Sequence, residues 1–149
     1  MLFLCVHNSA RSQMAEGLLR SMAGDAVEAR SAGLEAGGLR PEAVAVMAEL
    51  GLDISKQRSK SVDDVAEERF DVVVTTCDEA KEACPFFPGA RRTLHWDLPD
   101  PAAAQGDEAT RLQAFRDVRD ELWTKVADLV RELDRDQSAV SRASSSRNR

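Results

Sequence analysis

Apolar residues occupy Leu2-Phe3-Leu4 and run on through Cys5 and Val6 before small and polar residues take over. So short an apolar run with polar boundaries predicts a buried strand, and the spacing of Met14, Leu18, Leu19 and Met22 then predicts a helix. The chain therefore opens strand, loop, helix. A second strand is expected at Val27 to Ser31, ending at Ala32-Gly33, and Pro41 opens a helix reaching about Leu50, before Gly51. Phe70-Asp71-Val72-Val73-Val74-Thr75 is the most β-like run, apolar enough to be covered on both faces as parallel strands usually are. A weaker strand spans Arg92 to His95. From about Asp107, the residues Leu112, Phe115, Val118, Leu122, Val126, Leu129, Val130 and Leu133 recur mostly three or four apart, which predicts a long amphipathic helix whose stripe belongs to the core.

Strands alternating with helices imply right-handed crossovers, hence an α/β fold with a small parallel sheet and helices on both faces. Ligands in such folds sit beyond the carboxyl ends of the strands, which is where Cys5 falls. A chain of 149 residues with 43% hydrophobic content suits one core, read here as residues 1–134. Residues 135–149, rich in Ser and Arg, offer little to bury and are expected to form a disordered tail.

The net charge of -6 argues against a nucleic-acid partner, because a phosphate backbone demands a basic surface. No apolar stretch approaches the roughly 18 residues of a membrane span, and the opening residues lack the basic region and length of a secretory signal. No membrane association and a cytoplasmic location are expected. Three cysteines without an export signal fit reactive thiols or metal ligands better than a stapled framework. Zinc is disfavoured, since no Cys-x-x-Cys pair exists and His7 and His95 lie far apart.

The candidate chemistry lies in Cys5-Val6-His7-Asn8-Ser9-Ala10-Arg11-Ser12. A loop of small and polar residues that leaves a strand and turns directly into a helix can aim the backbone N–H groups of Val6, His7, Asn8, Ser9 and Ala10 at one anion. The helix N-terminus adds unpaired donors and partial positive charge, and Arg11 offers a planar fork for two oxygens. Both favour a thiolate at Cys5, the candidate nucleophile. Ser12 can donate to the cysteine sulfur and Asn8 can hold the loop. His7 is expected to point away and is not read as a general base.

This run resembles the low-molecular-weight protein tyrosine phosphatases and their relatives, the thioredoxin-coupled arsenate reductases. The stretch from Asn8 to Gly17 looks especially like the reductases, and the similarity extends through Ser31-Ala32-Gly33, Gly51 to Ser55, Thr76-Cys77-Asp78, Cys84-Pro85, His95-Trp96, Asp100-Pro101 and Arg119-Asp120-Glu121. The resemblance implies a four-stranded parallel sheet and a redox cycle on three thiols. In that cycle Cys5 attacks arsenate, Cys77 attacks the Cys5 sulfur, and Cys84 then forms a Cys77–Cys84 disulfide that thioredoxin reduces. Asp100 matches the family's general acid, with Asp97 as a weaker rival. A monomer with no bound cofactor is expected, with phosphate as an arsenate analogue and weak phosphatase activity on the side. A tyrosine phosphatase is the alternative, but such a site usually stacks an aromatic residue on the phenol, and Trp96 is the nearby candidate.

Two expectations follow from the resemblance. If Asp78 to Ala83 is helical, seven positions at about 1.5 Å each separate Cys77 and Cys84 by roughly 10 Å. A disulfide spans about 4.4 to 6.8 Å between Cα atoms. Closing the second bond therefore requires residues 77–84 to unwind. Some family reductases bind potassium beside the loop, and Asn8, Glu16 and Ser31 match three of its contacts. Arg58 and Lys60, however, stand where a Thr and an Asp are expected, which disfavours a cation and leaves no metal in the reading. Either the Lys60 ammonium takes the cation position beside Glu16, or both residues are solvated surface charges.

Overall fold

A computed structural model describes residues 1–78, 81–83 and 85–147, with side chains as far as Asp136. The strands are β1 (Leu2–Cys5), β2 (Arg30–Gly33), β3 (Phe70–Thr75) and β4 (Ala90–His95); the helices are α1 (Arg11–Ala23), α2 (Pro41–Ala48) and α3 (Glu108–Arg147). The strands form one parallel sheet in the order β2-β1-β3-β4, the four-stranded α/β architecture expected from the pattern of elements and the family resemblance. β1 is a central strand, which explains its unbroken apolar run: Leu2, Phe3 and Leu4 are all 0% exposed. Burying each of those side chains contributes about 1.5–3 kcal/mol.

Alternation along the strands divides the core. Phe3, Val72 and Val74 face a cluster that includes Met14 and Leu18 of α1, Val46 and Met47 of α2, and Phe115 and Leu122 of α3. Leu2, Leu4 and Val73 face the other way, onto Val65, Phe70 and Phe87. Helical cover on the two faces is thus uneven: all three long helices contribute to one cluster, while a 3-10 turn at Val62–Val65 serves the other.

Several boundaries move, β4 beginning at Ala90 and not at Arg92 for one. β2 begins three residues later than expected, because its register with β1 pairs Leu2 with Arg30 and Cys5 with Gly33. Val27 and Ala29, whose apolar character suggested the earlier start, serve instead as core contacts ahead of the strand. α3 continues to Arg147, past the boundary read at Asp134, since Arg, Ala and Gln favour helix without needing a buried face. The side chains of residues 137–149 lie outside the described residues.

Candidate active site

The loop between Cys5 and Arg11 is shaped from outside. The carbonyls of Cys5, Val6, His7 and Ser9 accept hydrogen bonds from the backbone N–H groups of Leu34 (3.3 Å), Glu35 (3.0 Å), Gly37 (2.9 Å) and Arg40 (2.9 Å). Across a trans peptide the N–H points opposite to the carbonyl. Drawing these carbonyls outward therefore turns the N–H groups of Val6, His7, Asn8 and Ala10 inward. Helix α1 starts at once, with Ala10 as N-cap and no side chain capping it, so its first donors also stay available to an anion.

Close approach makes this possible. A Cβ on Gly33 would meet the Asn8 nitrogen at 2.6 Å and the Val6 oxygen at 2.8 Å, both backbone atoms. The strand end read as Ala32-Gly33 is therefore the floor against which the loop is pressed.

Cys5 is 2% exposed, and its Sγ lies 2.8 Å from the Ser12 Oγ. The Asn8 N–H donates to the same sulfur at 3.1 Å. Since Ser12 Oγ accepts from Asn8 Nδ2 (2.8 Å), the serine hydrogen is left to point at the sulfur. Asn8 adopts φ 50, a left-handed conformation that Asn tolerates better than most side chains. Its Oδ1 accepts from the backbone N–H of Lys60 (2.7 Å) and from Gln13 Nε2 (3.0 Å).

Gln13 was not singled out from the sequence. It is fully buried, and its Nε2 also donates to the carbonyls of Asn8 (3.1 Å) and Arg58 (2.9 Å), while its Oε1 accepts from Gln57 Nε2 at 2.8 Å. The available signal was a glutamine beside the apolar helical positions Met14 and Leu18, where a polar residue needs partners.

Arg11 is 3% exposed, and its guanidinium forks onto the Glu82 carboxylate, with Nη2 donating to Oε2 at 2.8 Å. Nη1 also donates to the Leu98 carbonyl at 3.1 Å. These bonds, with one from the Asp78 N–H (2.9 Å), hold the Glu82 carboxyl below the ordinary carboxylate range. A cavity of about 500 Å³ opens beside the loop, lined by Val6, His7, Leu34, Glu82, Pro99 and Asp100 among others. Asp100 Oδ1 accepts from the Ala102 N–H at 3.0 Å, fixing the Pro101–Ala103 turn, whereas Asp97 does not line the cavity. His7, half-exposed on the rim, has Nδ1 at 3.8 Å from Glu35 Oε2. No Phe, Tyr or Trp is among the described lining residues, and Trp96 packs on Phe3 with ring centroids 5.8 Å apart.

Cys77 emerges at the same end of the sheet as Cys5. Leu4 pairs with Thr75, and the Thr76 N–H donates to the Leu4 carbonyl at 2.7 Å. Cys5 is a free thiol, and Cys77 is buried and disulfide-bonded. Cys84 lies outside the described residues. The helix expected over 78–83 is not found among the described residues there. They carry a turn instead, with the Asp78 carbonyl accepting from the N–H groups of Lys81 (3.1 Å) and Glu82 (2.8 Å). The helix was expected of a reduced pair, whereas Cys77 is disulfide-bonded here.

At the cation position, Glu16 Oε1 accepts from the Ser31 hydroxyl (3.0 Å) and lies 3.9 Å from Lys60 Nζ, while Oε2 lies 3.4 Å from Arg20. Lys60 Nζ also donates to the Arg58 carbonyl at 2.7 Å. Burial pushes the Lys60 ammonium below its usual range, with Glu16 opposing the shift. With Lys60 and Arg20 both set against its carboxylate, this donor set does not fit an added potassium ion.

The family described as Low molecular weight phosphotyrosine protein phosphatase matches residues 1–139. The arsenate reductase of Halalkalibacterium halodurans is 44% identical over 124 residues, covering 83% of this chain and 89% of that one. A solved arsenate reductase in the phosphate binding state superposes with a TM-score of 0.75 at 32% identity, covering 88% of this chain and 95% of the other. A thioredoxin-dependent arsenate reductase of Corynebacterium glutamicum gives 0.56 at 34% identity, covering 85% of this chain and 60% of that one.

Proposed function

The chain belongs to the low molecular weight phosphotyrosine protein phosphatase family, and we propose that within it this protein is an arsenate reductase that works through three thiols. The observation that carries the reading is the placing of disulfide-bonded Cys77 at the sheet end that holds free Cys5. A phosphatase has no use for such a pair. The curated relative and the solved structures, arsenate reductases by name, support the same choice.

In this mechanism the inward N–H groups and Arg11 bind arsenate, and the Cys5 thiolate attacks arsenic. Asp100 protonates the departing oxygen, which leaves as water and yields a Cys5 sulfur–arsenic(V) adduct. The Cys77 thiolate then attacks the Cys5 sulfur. The sulfur–arsenic bond breaks with its electron pair on arsenic, arsenite departs, and a Cys5–Cys77 disulfide remains. Cys84 attacks the Cys77 sulfur, which frees the Cys5 thiolate and leaves Cys77–Cys84 oxidised. A thioredoxin dithiol of the reducing cytoplasm returns that bond to two thiols by exchange.

The test is arsenate-dependent NADPH oxidation with thioredoxin and its reductase, in the parent and in Cys5→Ser, Cys77→Ser and Cys84→Ser. Each variant is expected to lose turnover, and full activity in Cys77→Ser overturns the assignment. Among the described lining residues no Phe, Tyr or Trp flanks the cavity as a tyrosine phosphatase would use, so cleavage of aryl phosphates should be slow.

We also assign Lys60 as the internal cation of this site, balancing Glu16 while its backbone N–H holds Asn8. Thermal melts with and without potassium test this: the parent should be insensitive and Lys60→Met should gain stability with potassium. A potassium-stabilised parent refutes it.

A further inference from the structure

The Arg11 fork is already filled. Both terminal nitrogens of its guanidinium meet the Glu82 carboxylate, a planar, anionic, two-oxygen group like the face of an oxyanion. Arg11 is almost wholly buried, and Glu82 lines the cavity that also holds Val6, His7 and Asp100. Glu82 is fixed to the turn that follows disulfide-bonded Cys77, since its N–H donates to the Asp78 carbonyl and its Oε1 accepts from the Asp78 N–H.

We infer that Glu82 is an internal competitor of the oxyanion: while Cys77 is disulfide-bonded, its carboxylate holds Arg11 and keeps the anion out. This rests on the reading of Arg11 as the oxyanion's partner. Glu82 takes the Nη1 and Nη2 end of the fork and sets a negative charge beside the loop, so an oxyanion that uses those donors must displace it.

The contact has a use in the proposed cycle. Once Cys77 is oxidised, Cys5 is again a thiolate, but no Cys77 thiol remains to release arsenic from it. Arsenate bound in that interval would form an adduct with no exit. A carboxylate on Arg11 discourages entry until the disulfide is reduced and the turn is released.

The test is calorimetric titration of inorganic phosphate into the intact protein, first disulfide-bonded and then reduced with a dithiol. Phosphate is not reduced, so the result does not depend on arsenate turnover, and the NADPH assay fails or succeeds separately. In the oxidised protein, Glu82→Gln should bind phosphate about tenfold more tightly than the parent, a common size for losing one charge-assisted competitor. Glu121→Gln makes the same charge change on the exposed side of α3 and should bind like the parent. Reduction should tighten binding in the parent and change it much less in Glu82→Gln. Equal oxidised affinities for parent and Glu82→Gln overturn the inference. So does an equal gain in Glu121→Gln, which would mean a general charge effect, or a parent indifferent to reduction.

Discussion

Around Cys5, the loop carbonyls are tied to Leu34, Glu35, Gly37 and Arg40, and Asn8, Ser12 and Gln13 are joined by buried hydrogen bonds. Across the cavity, the N–H groups of Lys81 and Glu82 close on the Asp78 carbonyl, and Glu82 reaches the loop through its ion pair with Arg11. The first region is fixed by neighbours that no ligand removes. The second is held to the first by a contact that an anion can replace. A reaction that binds one oxyanion repeatedly but rearranges its thiols within each turnover needs both kinds of holding: rigidity where charge is stabilised and looseness where sulfur must travel.

The contrast is broken most severely at Gly33. Gly33→Val puts side-chain atoms where the Asn8 and Val6 backbone lies, and backbone cannot yield as a flexible side chain does. Overpacking of this kind costs about 1–3 kcal/mol of stability, and displacing the N–H groups by an ångström costs on the order of 100-fold in rate. Both are read from thermal melts and from turnover with arsenate, and near-parental turnover would show that the loop is not seated on Gly33.

Gln13→Ala is next. It removes the buried bonds to the Asn8 carbonyl and Oδ1 and the bond from half-buried Gln57, and should cost about 1–3 kcal/mol, the range for a buried polar group left unpaired. The companion change across the cavity, Glu82→Ala, should cost less, because water or an anion from the cavity takes its place on Arg11. Denaturant unfolding compares the two, and similar losses would erase the distinction between the regions.

The sequence picked out the residues that the first region gathers and little of what holds them. Cys5, Arg11 and Ser12 were legible because the chemistry dictates their types and spacing, and the apolar run of β3 was legible because burial on both faces leaves a plain signature. The outward hydrogen bonds from Leu34 to Arg40 were not, since backbone donors carry no residue code. Gly33 could be read as a strand end but not as a floor, because a close approach depends on which chain lies opposite. Glu82 was passed over as one carboxylate in a run assumed to be helical. Its pairing with Arg11 accompanies a turn just after disulfide-bonded Cys77, which the helical expectation does not contain.

The bare N-terminus of α1 has a consequence for heat resistance. A side-chain cap typically contributes about 1 kcal/mol to a helix, and Ala10 provides none. On the proposed function, the oxyanion takes the missing cap's place there, so folding and ligand binding become linked equilibria. At ligand concentrations near 100 times the dissociation constant, that linkage is about 2.7 kcal/mol of added stability. The melting temperature of this protein is therefore itself a gauge of how fully its anion site is occupied.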